Sequence, residues 1–256
     1  TPGFPVIFYS FGGIRIMSLD VEHTGLDISE KGRAKDGTVL SSDRRLLMQL
    51  LAFGNCHNTS KIADELKKTG IDFALYADIN DPYGIGLLAV NEDPDFFVGE
   101  LREFLNASLL RELTLKPEYT MLGRTYSFGY EPDLQRTLID GPRERVLDPG
   151  LPWVIWYPLR RNKLFETLSA EEQRSVLGEH GKLGFKFGDA GYGKDIRLAC
   201  HGLDKNDNDF VIGVLGKELY PLSILIQSMR KTKQTSMYLE SLGPFFIGKV
   251  IWQSKS

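Results

Sequence analysis

The chain is built from short hydrophobic runs separated by polar turns, and the spacing inside each run predicts its secondary structure. The runs IDFALYADI (71–79) and WVIWYPL (153–159) have the length and the β-branched and aromatic content of buried strands. Elsewhere, Phe97, Leu101 and Phe104 recur at the spacing of one helical face. The pattern therefore predicts an α+β protein in which strands and amphipathic helices alternate.

The predicted elements form two series, joined by a turn-rich, charged segment at 132–152 that is expected to be a linker. The first series (1–131) comprises a strand at 5–19, a long connection at 22–43, a buried element of undetermined type at 44–54, a short helix capped by Ser60, strands at 71–79 and 83–93, a helix at 94–106 and a strand at 119–131. The second series (153–256) comprises a strand at 153–159, a helix at 169–181 that opens with a Ser169 and Glu172 capping box, strands at 196–203 and 209–216, a helix at 218–239 and a strand at 244–252.

The two series resemble each other in spacing as well as in order. Gly123 and Gly248, in the last strand of each series, are 125 residues apart, and Pro94 and Pro221, near the preceding helices, are 127 apart. This offset predicts a duplicated ferredoxin-like unit, with one copy on each side of the linker. Two such sheets either pack face to face or join edge to edge into a barrel, and the pattern alone leaves both arrangements open.

Composition and charge narrow the class of protein. The 256 residues are 42% hydrophobic and 25% charged, as in ordinary soluble globular proteins. The net charge of −3 comes from interspersed acidic and basic residues, so no extended basic surface for nucleic acid is expected. Cys56 and Cys200 form no CxxC pair, which favours a reducing compartment and hence the cytoplasm. Every apolar run is shorter than the ~20 residues that span a bilayer, so no membrane partner is expected.

His180 is the first candidate site residue, because it lies on the apolar side of the predicted helix. Val176, Leu177 and Leu183 share its stripe, so the imidazole is expected to face the core or a cavity. A hydrogen-bonded core histidine and a metal ligand both fit this pattern. The helix offers no second His or Cys in register, which argues against a zinc site, whereas a haem iron takes a single proximal histidine from the protein.

The stretch WYPLRRNK (156–163) is the second candidate, since Tyr157 is followed closely by Arg160 and Arg161. Two guanidinium groups and a phenol beside an apolar strand fit a planar ligand that carries carboxylates, because arginine binds carboxylates in bidentate geometry. Arg145, in the preceding segment, adds charge to the same rim. A solvated basic turn at the end of a strand fits these residues equally well.

Four stretches of the second half resemble, in order, the motifs of one protein family. They are WYPLRRNKLFETLSAEEQRSVLGEHGKLG, HGLDKNDNDFVIGVL, LIQSMRKTKQTSMY and GPFFIGKVIW. In this combination the chain resembles the chlorite dismutase superfamily, and in particular its coproheme decarboxylase branch, over about residues 119–252. The resemblance implies duplicated ferredoxin-like units that form a dimeric α+β barrel, assembled as a homopentamer or homodimer. It also implies an iron porphyrin, haem b or coproheme, in the C-terminal half.

The resemblance further implies roles for individual residues. His180 matches the proximal iron ligand, and Tyr157 matches the tyrosine whose radical attacks the porphyrin propionates. The matched propionate contacts are Arg161 (where the branch has a lysine), Arg145, Thr235 and one of the two tyrosines Tyr126 and Tyr130, of which Tyr130 is retained as the candidate.

The chain departs from the family's pattern on the distal side of the expected haem. The catalytic residue there is either Asp195 or Arg197, because an apparent two-residue insertion between His180 and Gly202 blurs the alignment. An aspartate would act as a base or hydrogen-bond acceptor, whereas an arginine would hold an anion. The distal side therefore leaves chlorite chemistry in question.

A second departure concerns the partner of the proximal histidine. Many family members orient this histidine with a glutamate, which raises its basicity. The matching segment at 222–239 has no acidic residue, and its polar candidates are Thr232, Gln234 and Thr235. A less anionic imidazole would favour milder redox chemistry.

The expected function is a haem-dependent oxidoreductase resembling coproheme decarboxylase, in which peroxide drives oxidation of the porphyrin propionates through Tyr157. One alternative is a chlorite dismutase-like haem peroxidase or oxygen-handling enzyme that acts on another small substrate. The other is a haem-binding carrier or sensor without turnover. The expected partners are the porphyrin, peroxide or another small oxidant, and further copies of this chain.

Overall fold

The computed structural model describes residues 25–255, so the strand predicted at 5–19 lies outside the described residues. The strands are β1 (Glu30–Arg33), β2 (Val39–Ser42), β3 (Leu47–Gly54), β4 (Phe73–Asp78), β5 (Ile85–Asn91), β6 (Thr114–Leu115), β7 (Met121–Arg124), β8 (Trp153–Arg161), β9 (Lys194–Ala199), β10 (Phe210–Gly216), β11 (Leu239–Leu242) and β12 (Phe246–Gln253). The α-helices are α1 (Thr59–Leu66), α2 (Asp95–Val98), α3 (Glu100–Ala107), α4 (Gly141–Val146), α5 (Ala170–Asp189), α6 (Leu219–Met229) and α7 (Lys233–Met237).

Eight strands form a closed ring of antiparallel backbone pairings. The order around the ring is β8, β10, β9, β7, β3, β5, β4, β12 and back to β8. The ring closes because β8 pairs with β10 along one edge and with β12 along the other. The narrowest junction is between β7 and β9, where Arg124 pairs with Ala199. Closure covers the strand edges that an open sheet would leave unpaired.

The two halves of the ring have the same arrangement. In the first half the strands lie in the order β7, β3, β5, β4, and in the second half in the order β12, β8, β10, β9. In both halves a helix follows the first strand, two strands follow that helix, and further helical structure precedes the last strand. The spatial order of the four strands is therefore 4-1-3-2 in each half.

Large aromatic side chains fill the interior of the ring. Trp156, Tyr76 and Phe246 are fully buried in a single cluster with the inward residues of both halves. Gly213 makes room for the indole, because a Cβ atom there would lie 2.5 Å from the Trp156 ring. A second cluster packs α1 and α3 outside the first half. A third packs α6 and part of α5 outside the second half.

Some boundaries differ from the predicted ones for local reasons. Asn58 rather than Ser60 caps α1, because the Asn58 side chain accepts the backbone N–H of Lys61. The helix predicted at 94–106 is divided at Gly99, whose φ of −102° and ψ of −100° are not helical. The connection predicted at 22–43 contains the β1–β2 hairpin.

The segment at 132–152, predicted as a linker, contains helical turns that contact the core. A turn of π-helix at Arg136–Asp140 leads directly into α4. Leu138 and Val146 from these turns are buried in the interior cluster. The segment therefore contributes to the core as well as connecting the two halves.

The two helices of the second half also end elsewhere than predicted. The capping box of Ser169 and Glu172 is confirmed, but α5 continues to Asp189 because Gly181 stays helical and Phe187 extends the apolar stripe. The helix predicted at 218–239 stops at Met229, resumes as α7, and is followed by β11.

Two further features concern the helices and cysteines of residues 25–255. None of the helices there is both long enough and apolar enough to cross a membrane. Cys56 and Cys200 are buried free thiols.

Two glycine substitutions test the packing of the ring. Gly213→Ala should lower the free energy of unfolding by ~1–3 kcal/mol, because the new methyl group overlaps the Trp156 ring. Gly178→Ala is the matched control: it lies in α5 with nothing within 4 Å of the added Cβ, so it should raise stability by ~0.5–1 kcal/mol. Urea unfolding measures both. Equal effects would contradict the close packing of Trp156.

Candidate functional site

Strand register brings the predicted site residues onto one face of the second half. Ile212 of β10 lies opposite Tyr157 of β8 on one side and opposite Arg197 of β9 on the other. Residues paired in this way point to the same face, so Tyr157, Ile212 and Arg197 form a row across three strands. Asp195 and Arg161 lie two and four residues along their strands and share this face. The face points away from the interior of the ring.

Helix α5 covers this face only in part. Of the residues described at 170–189, only Val176 is fully buried. The apolar residues that follow it on the same stripe, Leu183 and Phe187, are half-buried, and so is His180, which lies between Val176 and Leu183. The stripe predicted from sequence is therefore real, but its covering is incomplete around the histidine.

A short chain of hydrogen bonds fixes the protonation of His180. Its Nδ1 lies 3.0 Å from the Thr232 hydroxyl, and that hydroxyl donates its only hydrogen to the Met229 carbonyl at 2.8 Å. Thr232 can then only accept from the imidazole, so Nδ1 carries the proton. The other nitrogen, Nε2, keeps its lone pair and has no hydrogen-bond partner in the described part of the chain.

Burial, together with the arginines of the strand face, favours the neutral form of this imidazole. Burial lowers the pKa of His180, and Arg197 and Arg161 lower it further, while Asp195 opposes them. These groups act on the histidine through space, since α5 and the strands are separate elements. His180 therefore faces the arginines as a neutral base.

Arg161 is a half-buried cation that forms no ion pair within residues 25–255. Its guanidinium lies between two rings, 4.6 Å from the centroid of Phe165 and 4.7 Å from that of Phe210. Its Nε is buried and makes no hydrogen bond, and no carboxylate within residues 25–255 forms an ion pair with it. Burial lowers the pKa of this group. A buried charge left unpaired is costly, so the arrangement suits an anionic ligand.

Asp195 and Arg197, the two distal candidates, pair with each other. The Arg197 Nε is 3.1 Å from the Asp195 carboxylate, and the Arg197 guanidinium lies 4.9 Å from the Phe128 ring centroid. Arg145 donates to the backbone carbonyl of Asp195 at 2.7 Å. Arg197 shares a row with Tyr157, whereas Asp195 lies beside Val214. The chain thus presents a coupled acid and arginine instead of one isolated distal group.

Tyr157 is buried next to these groups and keeps its proton. Its ring stacks on Phe245 with a centroid separation of 4.7 Å, and the Arg230 guanidinium lies 5.8 Å from the Phe245 centroid. Burial raises the pKa of Tyr157 far above its usual range, Asp195 raises it further, and Arg230 opposes both. The phenol is therefore protonated at every physiological pH.

The structure separates the two tyrosine candidates. Tyr126 is largely buried, and burial raises its pKa while Arg197 and Arg161 lower it. Tyr130, the candidate retained from sequence, is 64% exposed and stacks on Phe128. The residue beside the arginines is thus Tyr126. Thr235 lies on α7, with its hydroxyl 3.5 Å from that of Thr232.

Some neighbours of the site were not expected from sequence. The Phe245 ring stacks on Tyr157. Met229 contributes its backbone carbonyl, which accepts the Thr232 hydroxyl. The motif that contains Met229 and Arg230 pointed to the right segment. It could not reveal the carbonyl contact, because that contact depends on the break between α6 and α7, which periodicity does not show.

The sequence matches the model of a known protein family. The family model described as "Chlorite dismutase" matches residues 85–251, about two thirds of the chain, including every residue of the candidate site described above. The chain belongs to the chlorite dismutase family. A comparison with curated proteins gives no match.

Solved structures of other proteins share the fold. A heme-binding protein from Thermus thermophilus is 18% identical, with a TM-score of 0.64 over 82% of this chain and 92% of that one. A variant of the chlorite dismutase from Candidatus Nitrospira defluvii is 16% identical, with a TM-score of 0.61 over 82% and 92% of the two chains. At these identities the family likeness concerns the fold and does not transfer an activity.

The hydrogen bond to Thr232 can be tested without any cofactor. In ¹⁵N NMR spectra of His180, the unaltered protein should show the tautomer protonated at Nδ1. Thr232→Val should give a mixture of tautomers and lower the free energy of unfolding by ~1–3 kcal/mol, because Nδ1 loses its partner. Thr232→Ser keeps the hydroxyl and serves as the control. An unchanged tautomer in Thr232→Val would contradict the assignment.

Proposed function

We propose that this protein is a haem-dependent oxidoreductase of the coproheme decarboxylase type. The observation that carries the proposal is the combination of two groups at the site: a neutral histidine with a free Nε2 lone pair, and a half-buried arginine, Arg161, whose buried Nε has no partner. A metal that needs one nitrogen ligand and a ring that bears carboxylates would satisfy both groups together. A porphyrin iron with its propionates has this combination.

The residues present fit such a group. His180 Nε2 would ligate the iron, since its lone pair is free and Nδ1 is held by Thr232. Arg161 would bind a propionate, which would give its half-buried charge a partner. The supporting contacts would come from Arg145, Thr235 and Tyr126, with Tyr126 taking the place first given to Tyr130 because of its burial beside the arginines. The cofactor would be haem b or coproheme.

Tyr157 would carry the oxidation. An iron porphyrin, when bound, supplies the power to use peroxide as a two-electron oxidant. Tyr157 holds its proton because of burial, so it would give up an electron and a proton together, as a hydrogen atom. The resulting phenoxyl radical would then remove a hydrogen atom from a propionate and so recover its own. Phe245, stacked on the ring, keeps water from that face.

The proposed reaction is balanced with peroxide as the oxidant. Each propionate, –CH2–CH2–COO⁻, would become a vinyl group, –CH=CH2, with release of CO2, one proton and two electrons. One H2O2 takes up these two electrons and two protons to give two waters, so one proton comes from the propionate and the other from solvent. Asp195 would act as a base that accepts a proton from the peroxide. Arg197 would stabilise the negative charge that this leaves on the peroxide.

We also propose that the two halves, 1–131 and 153–256, are duplicated ferredoxin-like units in a dimeric α+β barrel. The shared strand order 4-1-3-2 and the closed ring support this reading. Assembly as a homopentamer or homodimer rests on the resemblance to the family, and a cytoplasmic location rests on the absence of a CxxC pair between Cys56 and Cys200.

The first test is binding. Anaerobic titration with haem b and with coproheme should give a Soret band characteristic of a histidine-ligated iron. His180→Ala should abolish that band and weaken binding by at least ~100-fold, because the metal loses its protein ligand. His57→Ala, in an exposed loop of the first half, is the matched control and should bind normally. No Soret band with the unaltered protein would rule out both enzymatic readings.

The second test is turnover. After coproheme binding, added peroxide should convert propionates to vinyl groups. Mass analysis of the porphyrin measures this conversion. Tyr157→Phe should bind coproheme within about threefold of the unaltered protein but form no vinyl product, because the hydroxyl hydrogen is gone. Tyr220→Phe, an exposed tyrosine of α6, is the control.

The other outcomes of this experiment separate the alternatives. Vinyl product from Tyr157→Phe would overturn the role of that tyrosine. Tight binding of haem b with peroxide turnover of another substrate, and no loss of propionates, would identify a peroxidase. Binding without any turnover would identify a carrier or sensor.

A further inference from the structure

We propose that Tyr126, Phe128 and Tyr130 form an entry platform on which a planar aromatic anion, the porphyrin, docks before it reaches His180. These three residues are called the aromatic ladder below. The inference rests on the proposed function for the identity of the ligand. It adds a docking surface that begins at Tyr126, at the edge of the bound site, and extends outward through Phe128 and Tyr130.

The rings of the aromatic ladder run from the interior of the site to solvent. Tyr126 is largely buried and packs edge-on against Phe128, with centroids 5.2 Å apart and an interplanar angle of 71°. Phe128 and Tyr130 are parallel within 6°, with centroids 5.8 Å apart. Phe128 is 42% exposed and Tyr130 is 64% exposed. Adjacent aromatic rings exposed to water in this way are a common sign of a binding surface.

The ladder is continuous with the candidate site through its charges. Tyr126 is influenced by Arg197 and Arg161, the same two arginines that influence His180. Arg197 also lies over the Phe128 ring, at 4.9 Å from its centroid. Flat rings beside an exposed cation, Arg197, match a flat ligand that carries carboxylates, because the ligand can stack on the rings and be attracted by the charge. A neutral aliphatic ligand would use neither the stacking on the rings nor the attraction of the cation.

The ladder is held rigidly, as a platform should be. The Glu131 carboxylate accepts the backbone N–H groups of Phe128, Gly129 and Tyr130 at 2.9 to 3.1 Å. The β1–β2 hairpin adds a second anchor, because Glu30 accepts both the backbone N–H and the hydroxyl of Ser127. Arg33 donates its backbone N–H to the Glu131 carbonyl at 2.9 Å. The hairpin thereby fixes the loop that carries the rings.

The test is the rate of porphyrin uptake. Stopped-flow mixing with coproheme, kept monomeric by cyanide, gives the association rate constant, and transfer to an excess of a haem-scavenging protein gives the dissociation rate constant. For the double variant Phe128→Ser and Tyr130→Ser we expect both rate constants to fall by about tenfold, with the equilibrium constant within about twofold, because a docking platform lowers the barrier in both directions. The association rate constant of the unaltered protein should also fall as salt is added, because arginines attract the ligand.

The double variant Tyr192→Ser and Tyr220→Ser is the matched control, since those tyrosines are 53% and 74% exposed but lie away from the ladder. Both of its rate constants should equal those of the unaltered protein. Should the ladder variant fold poorly, Tyr130→Ser alone should lower both rate constants by about threefold, because it removes the outermost ring.

Three outcomes would overturn the proposal. Unchanged rate constants in the ladder variants would show that the rings play no part in entry. A faster dissociation with weaker equilibrium binding would make the rings part of the bound site instead of a platform. If the unaltered protein and His180→Ala take up neither porphyrin, the proposed function fails with it, whereas normal uptake with unchanged ladder variants overturns this inference alone.

Discussion

The pairing of β8 with three other strands is the constraint on which the rest of the structure depends. Strand β10 pairs along one edge, and β12 and β11 share the other. Neighbouring residues of β8 serve opposite faces: Trp156 fills the ring, while Tyr157 faces the candidate site. A slip of one residue in this pairing would exchange the two rings. The packing of Trp156 in the core and the position of Tyr157 at the site therefore require the same strand register.

The other side of the site depends on an irregularity. A continuous helix through 229–233 would direct the Lys233 N–H to the Met229 carbonyl. Instead the chain breaks there, Thr232 donates both its N–H and its hydroxyl to that carbonyl, and the Glu179 carboxylate accepts the Lys233 N–H at 3.1 Å. Glu179 and His180 are adjacent on α5. The same helix therefore supplies the acceptor for the Lys233 N–H at the break and the histidine whose Nδ1 bonds to Thr232 there.

Sequence patterning predicted the strands and helices that carry the site, because most of them bury one apolar face and so show a clear period. The inward stripe of α5 and its capping box are examples. Patterning failed at 132–152, where charged residues and turn formers hide two buried helical turns. It also missed the break after Met229, since all the residues around it are compatible with a helix. Tyr126 and Tyr130 could not be separated, because their burial depends on where loops from distant parts of the chain meet.

The three amides that converge on Glu131 have a consequence for selectivity. Successive N–H groups that point to one spot form a concave site of positive potential, which ordinarily attracts phosphate, sulfate or carboxylate from solution. Here the chain supplies the anion itself, from the residue that follows those amides. Free cellular anions therefore find this concavity already filled. Because the Glu131 carboxylate already occupies these amides, a carboxylate from solution can bind only at the arginines of the site, such as Arg161 and Arg197.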